Sequence, residues 1–244
     1  MLNILVPMAG KGSRFAQAGY TFPKPLIEVR GKPMIQVVIE DIRPSSEHRF
    51  IFICQKEHVE KYGVKELLQL ISPGCIVIAI DKVTEGAACT ALLASDHIAN
   101  EDELLIANSD QYVQMDINSM LEFARKEKLD GAILTFPATH PKWSFVKTDE
   151  KGYVVEVAEK KPISNEATVG IYYYKTGNIF VNAAKSMIRK NIRVNNEFYV
   201  CPAYNEMILE GLKIKPFRIK AEHMHGLGTP EDLEKFVKSN IKIK

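Results

Sequence analysis

Short apolar runs alternate with segments of helical period along the first half of the chain. The apolar runs cover residues 2–6, 50–54, 75–80 and 103–108, and helices are predicted over 33–42, over 57–71 and from 116 onward. Alternating strands and helices with short connections predict an α/β fold with a doubly wound, mostly parallel sheet. Ligands of such sheets lie beyond the carboxyl ends of the strands.

The pattern changes after residue 130. Strands are predicted over 132–138, 144–148, 153–157, 168–174 and 213–219, and helices over 177–190 and 197–212. The glycine-containing turn at 149–152 predicts a hairpin between its two flanking strands. A chain of 244 residues suits a single domain. We therefore expect one domain, 1–244, with a small β-rich excursion in its second half.

Composition and charge exclude several classes of protein. A hydrophobic fraction of 46%, a charged fraction of 25% and a net charge of +2 are those of an ordinary soluble protein. The basic tail 235–244 is more typical of an amphipathic helix end than of a nucleic-acid-binding arm. The four cysteines show no Cys-x-x-Cys spacing, and no apolar run approaches eighteen residues. We expect a cytoplasmic protein without a nucleic-acid or membrane partner, and homo-oligomerisation stays open.

The first strand leads directly into a glycine loop. The loop residues are Ala9, Gly10, Lys11, Gly12 and Ser13. Two glycines spaced by one residue let the backbone turn tightly and present successive N–H groups to an anion. Arg14 and Lys24 add a full positive charge on each side of the loop. This combination predicts a polyphosphate site.

Two commoner glycine motifs do not fit the loop. A dinucleotide-binding fingerprint needs a third glycine where this chain has Phe15. A P-loop needs its lysine after the second glycine, whereas Lys11 lies between the two. An ordinary strand-to-helix turn remains an alternative for Gly-Lys-Gly alone.

Gly-x-Gly-x-Arg followed by Pro23-Lys24-Pro25 resembles the sugar-1-phosphate nucleotidyltransferase family, the nucleotide-sugar pyrophosphorylases with thymidylyltransferase-like and cytidylyltransferase-like relatives. The resemblance implies a Rossmann-like nucleotidyltransferase fold with a nucleotide-binding half, 1–130, and an acceptor-binding half, 131–244. It further implies that the glycine loop binds a nucleoside triphosphate and that Arg14 and Lys24 are catalytic.

A second stretch concerns the nucleotide base. Gly86 precedes a run of small residues that starts a helix, which permits either close approach of a planar base or tight helix packing. The resemblance implies that Gly86 contacts the base, with Asp81 as a weaker candidate. A small-residue turn beside a carboxylate acceptor favours a pyrimidine, CTP or UTP.

Asp110 follows the strand over 103–108, where a carboxylate can hold Mg²⁺ or simply cap a turn. The resemblance implies that Asp110 is catalytic and binds Mg²⁺. Gly228-Thr229-Pro230 resembles the family's closing motif, yet Gly226 stands where the family usually has a second metal-binding aspartate. Glu222 is one alternative ligand, with a solvated loop residue as its other interpretation. The His223-x-His225 pair suggests zinc only weakly, because no third ligand is nearby.

The acceptor-binding residues are implied by the resemblance alone. In the segment 159–162 the resemblance, aligned on Pro162, assigns Lys161 to the acceptor phosphate, with Lys160 where a glutamate is usual. It adds Gly170 and Glu197 to the acceptor pocket.

The predicted reaction joins a nucleoside triphosphate to a sugar 1-phosphate or similar small phosphorylated acceptor, and it releases pyrophosphate. The alternatives are a glycosyltransferase with a similar nucleotide-binding sheet, termed GT-A-like, and a catalytically idle nucleotide-sugar binding module. The glycine loop argues against the first, because a glycosyltransferase has no use for a triphosphate loop.

Overall fold

A computed structural model describes residues 1–243 of the chain. Its strands and helices, in chain order, are β1 (Leu2–Pro7), α1 (Ser13–Gln17), β2 (Glu28–Val29), β3 (Lys32–Pro33), α2 (Met34–Ile42), β4 (His48–Gln55), α3 (Lys56–Tyr62), α4 (Val64–Ile71), β5 (Ile76–Ile80), α5 (Ala87–Leu92), α6 (Ser95–Ile98), β6 (Glu103–Ala107), β7 (Gln111–Val113), α7 (Ile117–Lys126), β8 (Gly131–Pro137), β9 (Ser144–Thr148), β10 (Val154–Glu159), β11 (Glu166–Tyr174), α8 (Gly177–Arg189), α9 (Ala203–Leu209), β12 (Ile214–Arg218), β13 (Met224–Gly226) and α10 (Pro230–Lys238).

The sheet has a parallel core extended by antiparallel strands. Strands β6, β1, β4 and β5 run parallel in that order, with Leu2 opposite both His48 and Glu103. β11 joins β6 in the antiparallel sense and carries β8 and β9, to which β12 and β10 are added. The predicted α/β class with a mostly parallel core is confirmed, and the antiparallel part lies beside β6.

Helices cover both faces of the sheet. Ile4 and Val6 of β1 pack into one apolar cluster, which α2, α4 and α7 complete, whereas Leu5 packs into a second cluster with α5, α8 and α9. A parallel strand buried on both faces reads as a continuous apolar run, and β1 is such a strand. Its carboxyl end is thereby fixed rigidly at the start of the glycine loop.

Two predicted helices differ from the structure. The segment 57–71 forms two helices, since Gly63 between them adopts φ 61°, in the left-handed region. The helix predicted over 197–212 was wrong in its first part, because α9 begins only at Ala203. Pro202 has no N–H and disfavours helical geometry in the residue before it, so 197–202 runs outside the helix.

The end of the chain packs against the start of α1. Phe15, Leu233 and Phe236 belong to a third apolar cluster, on which Ile241 and Ile243 pack. The tail, expected to be a frayed helix end, instead leaves the helix after Lys238 and docks; Lys244 lies outside the described residues.

Arg30 stabilises the C-terminal end of α10. Its guanidinium donates to the Phe236 carbonyl at 2.8 Å and to Ser239, and it lies 5.1 Å from the Phe236 ring centroid. The Tyr112 hydroxyl donates to the Lys242 carbonyl at 3.1 Å, farther along the tail. Within residues 1–243, every helix is too short or too polar to cross a membrane.

Candidate active site

A cavity of about 420 Å³ opens beyond the carboxyl ends of β1 and β6. Its charged and aromatic lining comes from both halves of the chain: Arg14, Lys24, Asp110, Lys142, Trp143, Glu159, Lys160, Tyr172, Tyr199 and Asp232. Gly10, Gly12 and Gly170 also face it. The sheet therefore brings the glycine loop and the segment around residue 160 to the two sides of one cavity.

Gly12 allows the glycine loop to pack against Lys24. It adopts φ 59° as the N-terminal cap of α1, and a Cβ added there would lie 3.3 Å from the Cβ of Lys24. Phe15, one turn later, is buried and fixes the loop to the third apolar cluster. The loop is thus held from below while Arg14 stays exposed at the cavity edge.

Lys24 and Asp110 form an ion pair across the cavity floor. Lys24 Nζ lies 2.5 Å from Asp110 Oδ2, and both side chains are about one quarter exposed. The Leu227 N–H donates to the Asp110 carbonyl at 2.7 Å, and a Cβ on Gly228 would approach Asp110 Oδ2 to 2.6 Å. Two residues that the sequence placed in one site therefore meet directly, and Gly228, in the connection between β13 and α10, leaves room for the Asp110 carboxylate.

Gly170 permits close contact between β11 and the end of β6. It adopts φ 96°, its carbonyl accepts from the Asn108 N–H at 2.9 Å, and a Cβ there would lie 2.1 Å from Asn108 Nδ2. The register of β11 against β8 shifts at this point. Gly170 faces the cavity, and the packing of Asn108 explains why no side chain fits there.

Lys160, and not Lys161, faces the cavity. Its N–H donates to the Trp143 carbonyl at 3.0 Å, and its ammonium donates to the Tyr199 hydroxyl at 2.5 Å. Lys160 adopts φ 54°, so the chain turns there and the next side chain, Lys161, points to solvent. The structure therefore gives the Lys161 assignment no support, since Lys161 does not line the cavity.

Glu159 is the buried acid of the cavity lining. Its carboxylate accepts a hydrogen bond from the Ser144 hydroxyl. Burial raises the pKa of Glu159 above its usual value, and the hydrogen bond from Ser144 and the neighbouring Lys160 charge offset only part of that rise. The alignment on Pro162 did not single out Glu159, because it placed the Glu-Lys pair one residue later in the chain.

Gly86 is required for packing between two distant segments. It adopts φ 129°, and a Cβ there would lie 2.4 Å from the Phe198 carbonyl oxygen. Phe198 N–H donates to the Glu85 carbonyl at 2.8 Å, and Ala88 N–H donates to the Phe198 carbonyl at 2.9 Å. Of this turn, Ala87 reaches the cavity. Gly86 is therefore tightly packed against Phe198, as one of its two interpretations predicted.

Other residues named from the sequence lie at the edge or outside. Asp81 is exposed and pairs with Lys56 at 3.2 Å, Lys11 and Ser13 are exposed, and Ala9 is buried with its carbonyl accepting from Gln55 at 3.1 Å. Asp81, Lys11 and Ser13 do not line the cavity.

Glu197 is exposed, does not itself line the cavity, and is a hydrogen-bond partner of the Tyr199 side chain. Together with burial, which is the larger cause, it raises the pKa of Tyr199, which does line the cavity. Trp143 and Asp232 were not singled out from the sequence, whereas Tyr199 belongs to the segment 196–199 in which the resemblance pointed to Glu197. The one available signal for Trp143 was its place as the chain's single tryptophan.

The carboxylates at the cavity fit a divalent cation that arrives with phosphates. Residues 1–243 contain no group of three or more His, Cys, Asp or Glu side chains able to enclose a metal ion. Mg²⁺ keeps several waters and commonly binds through one or two carboxylates plus substrate phosphates. Asp110 meets that requirement. Glu222 is exposed, pairs with Lys220 at 3.5 Å and does not line the cavity.

Comparison with known proteins finds one family model and several relatives that are named as nucleotidyltransferases or as GlmU. A family model described as nucleotidyl transferase matches residues 4–212. The bifunctional protein GlmU of Methanocaldococcus jannaschii is 24% identical over 95% of this chain and 52% of its own length. The UTP–glucose-1-phosphate uridylyltransferase AglF of Haloferax volcanii is 24% identical over 95% of this chain and 93% of its own. The chain spans about half the length of GlmU and of a putative mannose-1-phosphate guanyltransferase of Sulfolobus acidocaldarius.

Solved structures share the fold over nearly the whole chain. A nucleoside-diphosphate-sugar pyrophosphorylase from Vibrio cholerae RC9 has a TM-score of 0.83 at 25% identity, covering 97% of this chain and all of that one. The inositol-1-phosphate CTP transferase from T. maritima has a TM-score of 0.74 at 15% identity, covering 98% and 97%, which is a likeness of fold.

Proposed function

The chain belongs to the nucleotidyl transferase family, and from this premise we propose that it joins a nucleoside triphosphate to a sugar 1-phosphate or similar small phosphorylated acceptor, with release of pyrophosphate. The observation that carries the proposal is the cavity itself. The glycine loop, Lys24 and Asp110 lie on one side of it, and Glu159 and Lys160 lie on the other. The nucleotide is proposed to bind on the side built from 1–130 and the acceptor on the side built from 131–244.

The reaction needs alignment more than it needs a protein base. An oxygen of the acceptor phosphate attacks the α-phosphorus, and the bond to the β-phosphate oxygen breaks, so that pyrophosphate leaves with the electron pair. The attacking oxygen is already anionic, hence no proton has to be removed. Fixed positive charge and correct positioning supply the rate.

Each basic group has one task in this scheme. The N–H groups of 10–13 and Arg14 hold the triphosphate, Lys24 offsets charge at the reacting phosphates, and Lys160 holds the acceptor phosphate. Mg²⁺ held by Asp110 would supply further charge stabilisation at the phosphate oxygens. The ion pair between Lys24 and Asp110 keeps both groups at the reacting end.

We expect the protein to prefer CTP or UTP. Ala87 of the turn 84–88 lines the cavity, and we propose that the base lies against this small side chain, where a pyrimidine fits more readily than a purine. Pyrophosphate release is to be measured for each of the four common ribonucleoside triphosphates and for dTTP against a panel of phosphorylated acceptors. Preferred use of ATP or GTP would contradict the base preference. Nucleotide binding without pyrophosphate release with any acceptor would indicate a binding module, and release of a nucleoside diphosphate from a nucleotide sugar would indicate a glycosyltransferase.

Lys160→Ala is expected to raise the acceptor KM or lower turnover about 10-fold or more, because a charge-assisted contact to the acceptor phosphate is lost. Steady-state kinetics with the acceptor varied provide the measurement, and the KM for the triphosphate should hardly change. The matched variant is Lys161→Ala, one residue away and exposed. If Lys161→Ala shows the larger acceptor effect, the acceptor phosphate binds at the alignment first drawn from the sequence.

A further inference from the structure

Two glycines just before α10, Gly226 and Gly228, each lie next to a carboxylate. A Cβ on Gly228 would contact Asp110 Oδ2, and a Cβ on Gly226 would lie 3.6 Å from Asp232 Oδ2. Gly226 pairs with Gln111 of β7, the residue after Asp110. The segment 226–228 thus has the Asp110 carboxylate next to Gly228 and the Asp232 carboxylate next to Gly226.

Asp232 is directed to the cavity and not to its own helix. Its N–H donates to Thr229 Oγ1 at 3.1 Å, which is the usual N-terminal cap, so the cap is supplied by Thr229 and not by the Asp232 carboxylate. The carboxylate lines the cavity, is about one third exposed, and has Lys142 as its ion-pair partner at 3.7 Å. An ion pair this long and this exposed contributes little to stability, so Asp232 can exchange Lys142 for a stronger partner.

The other acids near the cavity are unsuited to a cation. Glu159 is buried, accepts from Ser144, and has a raised pKa because of its burial. Glu222 lies outside the cavity lining and pairs with Lys220. Among residues 1–243 that line the cavity, Asp110 and Asp232 are therefore the two carboxylates available to a metal ion.

We propose that Asp232 acts with Asp110 on the divalent cation of the bound triphosphate, supplying from the first turn of α10 the carboxylate that a side chain at position 226 would otherwise supply. The inference rests on the proposed function, since the cation arrives with the nucleotide. In this arrangement Lys142 gives up its pair with Asp232 when the cation binds. The second carboxylate then comes from position 232, in the first turn of α10, and not from position 226.

The test is metal affinity, measured without turnover. Mn²⁺ binds oxygen ligands like those of Mg²⁺ and is detected by electron paramagnetic resonance. The dissociation constant of the Mn²⁺ complex of α,β-methylene CTP, whose α–β bridge cannot be cleaved, is measured for each variant. Asp232→Asn should weaken binding about 10-fold, the scale of removing a group that supports a metal site.

Two control variants separate the carboxylate from its surroundings. Glu231→Gln removes a neighbouring exposed charge from the same first helical turn and should leave the affinity unchanged. Lys142→Met removes the ion pair but keeps the carboxylate, and it should also leave the affinity at or above its original value. If Lys142→Met weakens binding as much as Asp232→Asn does, the ion pair is responsible and the proposal is overturned.

A rescue variant gives the decisive comparison. The space beside Gly226 admits a side chain at ordinary contact distance, and its φ lies outside the left-handed region. Gly226→Asp combined with Asp232→Asn should therefore restore most of the lost affinity. Unchanged affinity in Asp232→Asn, with a clear loss in Asp110→Asn, would overturn this inference alone. Unchanged affinity in both variants would overturn it together with the proposed metal site, and the absence of pyrophosphate release in the substrate matrix would overturn the proposed function independently.

Discussion

Lys24→Ala is expected to lower turnover about 10²- to 10³-fold, which is the scale of removing one positioned group that stabilises transition-state charge. Lys24 stands at the cavity floor, held by the close approach of Gly12 on one side and by Asp110 on the other. An alanine keeps the fold of the short turn but removes the positive charge that pairs with Asp110. Arg14→Ala should behave similarly, because Arg14 holds the opposite side of the loop.

The measurement is steady-state pyrophosphate release at saturating substrates, with the thermal unfolding midpoint recorded for each variant. Lys65→Ala, an exposed lysine on α4 far from the cavity lining, serves as the matched control and should keep full activity. Unfolding midpoints of Lys24→Ala and of the original protein should agree within a few degrees. Near-normal turnover in Lys24→Ala would place the reaction somewhere other than this cavity.

Asp110→Asn should abolish measurable turnover at ordinary Mg²⁺ concentrations. The amide keeps the shape of the side chain, and the backbone carbonyl of residue 110 still accepts from Leu227 N–H, so β7 and β13 stay paired. What disappears is the negative charge that attracts the cation and orients Lys24. Two functions of the site are lost together, which is why the expected effect exceeds that of Lys24→Ala.

A Mg²⁺ titration of activity tests this prediction. Asp96→Asn, an exposed aspartate on α6, is the control, and Glu222→Gln should shift the titration little. Recovery of turnover in Asp110→Asn at high Mg²⁺ to near the original rate would contradict a dominant role for Asp110. A large shift for Glu222→Gln would show that a residue outside the described cavity lining holds the cation.

The parts of the site that the sequence predicted share one property: each polar or glycine motif directly follows the carboxyl end of a predicted parallel strand. The glycine loop follows directly from an apolar strand, and Asp110 follows the end of another. Because carboxyl ends of parallel strands meet at one edge, the two were expected to converge, and Lys24 does meet Asp110.

The parts that the sequence missed depend on backbone turns that single residues do not reveal. The positive φ of Lys160, a lysine rather than a glycine or asparagine, reverses which of two adjacent lysines faces the cavity. Asp232 lies in what reads as an ordinary helix start, and only the packing of α10 against β13 turns it to the cavity. Pro202 was the exception, since its effect on the helix was readable from the sequence and was overlooked.

The turn 84–88 and the segment around Phe198 are joined by backbone hydrogen bonds, so the two must fit each other when parts of related proteins are exchanged. A chimera with a crossover anywhere between these segments would combine the 84–88 turn of one parent with the 193–201 segment of the other. These hydrogen bonds join backbone atoms and do not depend on the side chains of either parent. A side chain at position 86, however, would clash with the backbone carbonyl of Phe198, and a change of side-chain rotamer cannot relieve a clash with the backbone. Recombination libraries should therefore inherit the two segments as one linked block, although more than one hundred residues of sequence separate them.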